Sequence, residues 1–118
     1  MKKIYHLKSC STCVRILKEL SHLSDFELQN IKENNIDADT LDWLKEKTGS
    51  YEALFSKKAM KYKSLGLDLK TLTENDYRSY LLTEYTFLKR PFIIVDENVF
   101  IGNNPKVIEA AKLAIHKG

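Results

Sequence analysis

Cysteine is scarce in this chain. It holds two, Cys10 and Cys13, alongside three histidines, His6, His22 and His116, among 118 residues. A structural zinc site wants four ligands. No second C-x-x-C and no H-x-x-x-H follows to supply them, so no metal is expected. Long apolar runs are also missing. No stretch approaches the about 20 residues of a membrane-spanning helix. The opening Met1-Lys2-Lys3-Ile4 lacks the apolar stretch of a signal peptide. The expected location is therefore the cytoplasm, without a membrane partner, where a disulfide is transient and either catalytic or redox-sensing. Charge of one sign is not in large excess. A net charge of +3 permits an anionic ligand but gives no argument for direct nucleic-acid binding. With four glycines and no phosphate-cradling glycine loop, neither a nucleotide nor a flavin is implied. Internal repeats, low-complexity segments and linkers are absent.

What is there reads as a globular protein: 43% of residues are hydrophobic and 30% charged. The length suits one compact domain over residues 1–118. The chain is organised around Tyr5-His6-Leu7-Lys8-Ser9-Cys10-Ser11-Thr12-Cys13-Val14-Arg15. A short apolar strand leads in and a helical pattern (Val14, Leu17, Leu20) leads out. Cys10 thus falls at a strand-to-helix turn, near the first free N–H groups of the helix. The partial positive charge there favours an anion, so the thiol of Cys10 should ionise more readily than a free one. Cys13, one turn on, is close enough to form a disulfide with it. The spacing supplies a nucleophile and a resolving partner. Two unreactive, half-buried thiols are the plainer alternative.

In chain order, Ile4–Leu7 is a buried central strand and about Ser11 to Leu23 a helix with Ile16, Leu17 and Leu20 on its apolar face. Phe26–Ile31 is a second strand, which makes a right-handed βαβ unit with parallel strands. Strand signals then stop for roughly forty-five residues. Asp39 can cap a helix containing Leu41, Trp43 and Leu44, ended by Gly49. Ser50–Phe55 is a short helix, and Ser56 can cap another over Lys57–Leu65. Thr73-Glu74-Asn75-Asp76 resembles a capping box for a helix to about Tyr85. This helical insertion spans about residues 38–87. Phe92–Val95 and Val99–Ile101 then form a hairpin across Asp96-Glu97-Asn98. Asn104 caps a last helix with Pro105 at its first position. The order β-α-β, helices, β-β-α predicts an α/β, thioredoxin-like fold with a mixed sheet of about four strands and an inserted helical subdomain. Arg90-Pro91, just before the third strand, is a candidate for a cis bond. Such a proline beside a C-x-x-C exposes backbone groups to a bound thiol or peptide.

These motifs together resemble the ArsC-type arsenate reductases and their Spx-like and YffB-like relatives, over essentially the whole chain. The resemblance rests on the tyrosine-led strand with Cys10 and Cys13, on Ser56-Lys57-Lys58-Ala59-Met60-Lys61-Tyr62, on Leu65-Gly66-Leu67, on Arg90-Pro91-Phe92-Ile93-Ile94-Val95 and on Ile101-Gly102-Asn103-Asn104-Pro105. It implies a cysteine nucleophile, Cys10, and an arginine before the cis-proline, Arg90, which helps bind an oxyanion and stabilise the thiolate. The arsenate reductases use two further arginines. This chain has Ser56 and Asn103 at those positions, so the oxyanion clamp is incomplete, which argues against arsenate as the natural substrate. Lys58 stands where Spx-like and YffB-like members carry an arginine; it can supply charge but no bidentate fork. Cys13 matches the Spx-like proteins, which use the pair as a redox switch while binding RNA polymerase. The chain stops at Gly118, however, without their basic tail. It reads as an intermediate member of the family.

The candidate site is then Cys10, Cys13 and Arg90 for chemistry, with Ser11, Thr12, Lys58, Pro91 and Asn103 for substrate binding. Ser11 and Thr12 offer backbone N–H groups, and Pro91 shapes the groove. Lys8 either lowers the pKa of Cys10 or points into solvent. The run Lys57, Lys58, Lys61, Lys63 is a solvated helix face or an anion subsite. His6 reads as a packing residue, Tyr77, Tyr80 and Tyr85 as a packing stripe, and Trp43 as core of the insertion. Three functions are compatible with this pattern. The first is a thiol-dependent reductase acting on a disulfide or oxyanion, with no bound cofactor and with glutathione, glutaredoxin or thioredoxin as electron donor. The second is an Spx-like regulator docking on RNA polymerase. The third is a binding module with inert cysteines.

Overall fold

A computed structural model describes residues 1–20 and 22–117, with only the backbone of Lys117. These fall into two compact units, Met1–Asn34 with Arg90–Gly118, and Asn35–Lys89.

The first unit is built on four strands, β1 (Lys2–His6), β2 (Glu27–Asn30), β3 (Phe92–Val95) and β4 (Asn98–Ile101), in the order β2-β1-β3-β4. β1 pairs in parallel with β2 and antiparallel with β3, which pairs antiparallel with β4. Ile4 lies opposite Ile93, so both point to one face of the sheet. Helices α1 (Ser11–Glu19) and α5 (Pro105–Lys117) bury their apolar stripes on that face. Ile16 and Leu20 from one side and Ile108, Ala111 and Ile115 from the other close over Ile4, Ile93 and Val95. Burying a side chain of this size contributes about 1.5–3 kcal/mol. The all-buried run of β3 matches a central strand, while Glu27 and Leu28 on the edge strand β2 stay exposed. A two-residue turn joins β3 to β4, with Asp96 at φ +57°, a backbone region that aspartate tolerates better than most. Asn104 Oδ1 accepts the Lys106 N–H at 2.9 Å and caps α5, whose first residue is Pro105. The mixed sheet, with helices interposed in sequence between β2 and β3, is the expected thioredoxin-like α/β fold.

α1 is shorter than its periodicity suggests. Leu20 turns to an extended ψ of 96° and ends the helix, because its side chain is needed in the core from that position. Ser21, inside the predicted span, lies outside the described residues, and Leu23 packs on the core from the loop.

The second unit contains α2 (Ala38–Thr48), α3 (Met60–Ser64), α4 (Glu74–Thr83) and three short 3-10 turns. The cap of α2 is Asp37, not Asp39: Asp37 Oδ1 accepts the Thr40 N–H at 2.7 Å. Asn35 selects it. Its amide donates to Leu81 O at 3.1 Å while its oxygen accepts the Ile36 N–H at 2.9 Å, pinning the chain just ahead of Asp37. Gly49 ends the helix at φ +96°, where a side chain would be strained. Residues Ser50–Phe55 contribute only the 3-10 turn Glu52–Leu54, capped from afar by the Glu74 carboxylate on the N–H groups of Tyr51 and Glu52. α3 starts at Met60 rather than Lys57. A bridge between Phe55 and Leu88 and a 2.7 Å bond from Ser56 N to Phe87 O keep the preceding chain extended.

Around Phe55 the rings of Tyr62, Tyr77 and Phe87 gather at 5.8, 5.0 and 4.7 Å, and Tyr80 joins through Phe87. Tyr77 and Tyr80 are thus packing residues. Trp43, by contrast, is only half-buried and lies under the Lys47 ammonium at 5.4 Å; it is not part of the core. Thr73 forms a full capping box with Asp76 on α4. Thr73→Ala should lower stability by about 1 kcal/mol, read as a lower denaturation midpoint at unchanged m-value.

Candidate active site

Cys10 is the N-cap of α1, with extended backbone angles of −91° and 113°. Its N–H is held by Leu7 O at 3.0 Å, and its own C=O accepts the Val14 N–H at 3.1 Å. Nearby, the Lys8 N–H bonds Asn30 Oδ1 at 3.2 Å, tying the turn to β2. An N-cap is normally serine, threonine, aspartate or asparagine, whose oxygen accepts a free N–H. Here the cap side chain makes no such bond, and the first turn of α1 holds no acidic residue to compete for the helix N-terminus. The free N–H groups therefore remain available to a thiolate.

The electrostatics follow. Partial burial pushes the Cys10 thiol up. The Cys13 N–H, the Cys13 thiol and the Thr12 N–H oppose this as donors that favour the thiolate, and the Arg90 charge adds to them. The net result is a Cys10 pKa below the ordinary thiol value. Cys13 behaves in the opposite way. It is wholly buried, and that burial is the main reason its pKa rises to about 11. The Leu7 N–H and Arg90 lower it, while the neighbouring Cys10 charge and hydrogen bond raise it further. Both cysteines are free thiols that share one hydrogen bond, a poised donor and acceptor.

The Arg90–Pro91 peptide is cis, and Pro91 O accepts the Gly102 N–H at 3.0 Å. This bond draws the loop after β4 toward the start of β3. Ser11 is exposed and Thr12 half-buried, with Thr12 acting through its backbone. Asn103 is exposed and lines a groove between α1 and α5. Lys8 is exposed and its charge bears on His6, which burial holds below the usual histidine range against the pull of Glu33. His6 is half-buried, as a packing residue would be.

Lys58 belongs to the second unit and is exposed in the turn before α3, not on a helix. Its neighbour Lys57 pairs with Glu52 at 2.6 Å, and Lys61 pairs with Glu84. Among the described residues, no cluster of three or more metal-ligating side chains converges, and no helix is long and apolar enough to cross a membrane.

Sequence reasoning missed the Leu7 N–H that faces Cys13, because a backbone donor leaves no mark in residue type. It also missed the cations and carboxylates facing each other across α1 and α5. Each half is visible in the sequence, Arg15–Glu19 at i,i+4 and Glu109–Lys112 at i,i+3, but their meeting across two helices is not.

The chain is 28% identical over 113 residues to an uncharacterised protein of Haemophilus influenzae, covering 94% of this chain and 98% of that relative. A solved arsenate reductase (ArsC) related protein of Brucella melitensis is 25% identical, with a TM-score of 0.71 and 92% of each chain covered. An arsenate reductase from Vibrio cholerae shares the fold at 22% identity, with a TM-score of 0.73 and coverage of 93% of this chain and 96% of that one. The model of the ArsC family matches residues 5–111, and the chain belongs to that family.

Proposed function

We propose that the chain is a thiol-dependent reductase acting on a disulfide, with Cys10 as nucleophile and Cys13 as resolving thiol. One observation carries the reading: the Cys10 sulfur stands at the uncapped N-terminus of α1 with a lowered pKa, beside a buried, protonated Cys13. A disulfide is favoured over arsenate because a single arginine, Arg90, stands near the thiols, with Ser56 and Asn103 in place of the other two expected.

The steps balance as follows. The Cys10 thiolate attacks one sulfur of the substrate disulfide. A Cys10–sulfur bond forms, the substrate S–S bond breaks, and the leaving thiolate takes a proton. Cys10 no longer carries a charge, so two of the influences that hold Cys13 protonated vanish and Cys13 becomes more acidic. Its thiolate attacks the Cys10 sulfur, releases the second thiol and leaves a Cys10–Cys13 disulfide. Two electrons from an external thiol such as glutathione, or from a dithiol protein such as glutaredoxin or thioredoxin, restore both thiols. Arg90 favours the Cys10 thiolate at the start of the cycle and again as the enzyme is reduced.

The test is turnover of a glutathione mixed disulfide, with glutathione oxidation coupled to NADPH consumption. Turnover that disappears in Cys10→Ser supports the reading. Failure with disulfides and with arsenate under all three donors, with Cys10 alkylating like a free thiol, sinks it. Redox-dependent capture of RNA polymerase without turnover would instead make the pair a sensor.

A further inference from the structure

His22 and His116 take no part in the steps above. They lie near opposite ends of the chain, yet their rings meet at 4.9 Å between centres, with 80° between the planes. Both belong to the first unit and both are exposed. His22 follows the end of α1 at φ +64°, a backbone region that histidine enters more readily than most side chains. His116 lies in the last turn of α5. The pair therefore bridges the exit of α1 and the end of α5. The two helices already approach each other one turn earlier, where Lys112 Nζ stands 4.0 Å from Glu19 Oε2.

The spacing suits more than an aromatic contact. A metal ion bonds an imidazole nitrogen at about 2.0–2.1 Å, which puts the ring centre about 3.2 Å from the ion. Two imidazoles on one ion, at the about 90–110° of square-planar to tetrahedral geometry, then lie about 4.5–5.2 Å apart, centre to centre. The observed 4.9 Å falls inside that range. Turning a ring about its Cβ–Cγ bond leaves its centre in place. The edge-to-face arrangement can thus open to aim one nitrogen of each ring at a shared point, and little packing opposes the turn of exposed rings. The local field has the right sign. The C-terminal ends of α1 and α5 carry unsatisfied carbonyls and a partial negative charge, which favours a cation. Lys112 and Glu19 offset each other. Lys18, in the last turn of α1, is exposed, and its ammonium can turn to solvent.

We propose that His22 and His116 form a surface chelate for a late first-row divalent transition metal ion, of the class Ni(II), Cu(II) or Zn(II), which imidazole suits. Calcium and magnesium take oxygen ligands and are not its ions. Among the described residues no group of three metal-ligating side chains forms, so water fills the remaining positions. This open two-ligand site differs from the closed four-ligand zinc centre that the residue count rules out. A bound ion ties the exit of α1 to the end of α5 and favours the folded state by mass action. The site stands apart from the proposed reductase steps.

The experiment is a titration of the reduced, nitrogen-15-labelled protein with Ni(II), which is paramagnetic and does not oxidise thiols. Amide signals near a bound Ni(II) broaden, so the spectrum shows where the ion sits. Broadening centred on residues 22 and 116 is expected. A chelator should restore the signals and excess Mg(II) should not. His22→Gln and His116→Gln should each weaken Ni(II) binding about a hundredfold, the advantage of two tethered ligands over one. Metal-free spectra of the variants check that the fold is unchanged. Ni(II) should also raise the denaturation midpoint of the parent but of neither variant. Broadening confined to the surroundings of Cys10 and Cys13, or a Ni(II) affinity unchanged in both variants, would overturn the chelate and leave the ring contact as packing.

Discussion

Cys10→Ser should cut turnover by about three orders of magnitude or more while making the protein slightly more stable near pH 6. The first effect follows from the nucleophile: a serine hydroxyl at this helix N-terminus stays protonated where the thiol of Cys10 ionises. The second follows from position. Cys10 is the N-cap of α1, and as a neutral thiol it makes no cap hydrogen bond. Serine is among the best N-caps, and replacing a poor cap by a good one contributes about 0.5–2 kcal/mol.

The gain should depend on pH, with a definite sign. The Cys10 pKa is depressed in the folded protein. Its ionisation therefore stabilises the fold above the unfolded thiol pKa, about 8.5, and that contribution fades as pH falls through the lower folded value. The serine variant should hold its largest advantage at pH 6 and lose it by pH 9. Chemical denaturation at the two pH values checks this. A variant less stable than the parent at pH 6 would show that the side chain at position 10 is not acting as a cap. Alkylation gives the companion readout: Arg90→Ala should move the Cys10 rate profile to higher pH, and an unmoved profile removes Arg90 from the site.

Cys13→Ser should trap the first half of the cycle. With oxidised glutathione the variant should accumulate one glutathione per chain on Cys10, visible by mass spectrometry, where the parent resolves the adduct to an internal disulfide. An adduct that forms equally in the parent and persists there would assign resolution to an external thiol. The same variant carries a stability signature. Cys13 is buried with its pKa raised to about 11. The unfolded chain ionises there near 8.5 while the folded one does not, so the parent loses stability as pH climbs between those values. Cys13→Ser removes that component, and the stability of the two proteins should diverge with pH in this window.

How much of this was legible in the sequence depended on how local each signal is. The C-x-x-C between a strand and a helix, the Thr73–Asp76 capping box and the β3–β4 hairpin are written in a few adjacent residues, and the structure holds them, with Asn98 joining β4 instead of the turn. The cap of α2 was not. Asp37 and Asp39 both precede a helical pattern, and the choice is made by Asn35 reaching Leu81, 46 residues away. The start of α3 is likewise decided by the distant Phe87 and Leu88. Trp43 looked like core because tryptophan usually is, yet a lysine one turn on gives its ring a partly wet surface. The groove is the extreme case: its two helices lie at opposite ends of the chain, and no spacing rule joins Arg15 to Lys112.

The contrast between an accessible thiolate and a buried, protonated thiol bears on oxidative damage. Peroxide attacks the thiolate form and carries an exposed cysteine through sulfenic acid toward the irreversible sulfinic and sulfonic acids. Cys10 is the sulfur that peroxide meets first, and Cys13, at 0% exposure, is shielded. Once Cys10 is a sulfenic acid it has lost the negative charge that, beside burial, disfavours ionisation of Cys13. A thiol in hydrogen-bond contact then condenses with it and expels water. On the proposed reductase reading, the pair stops the oxidation ladder at the disulfide, before the rungs that thiols cannot reverse.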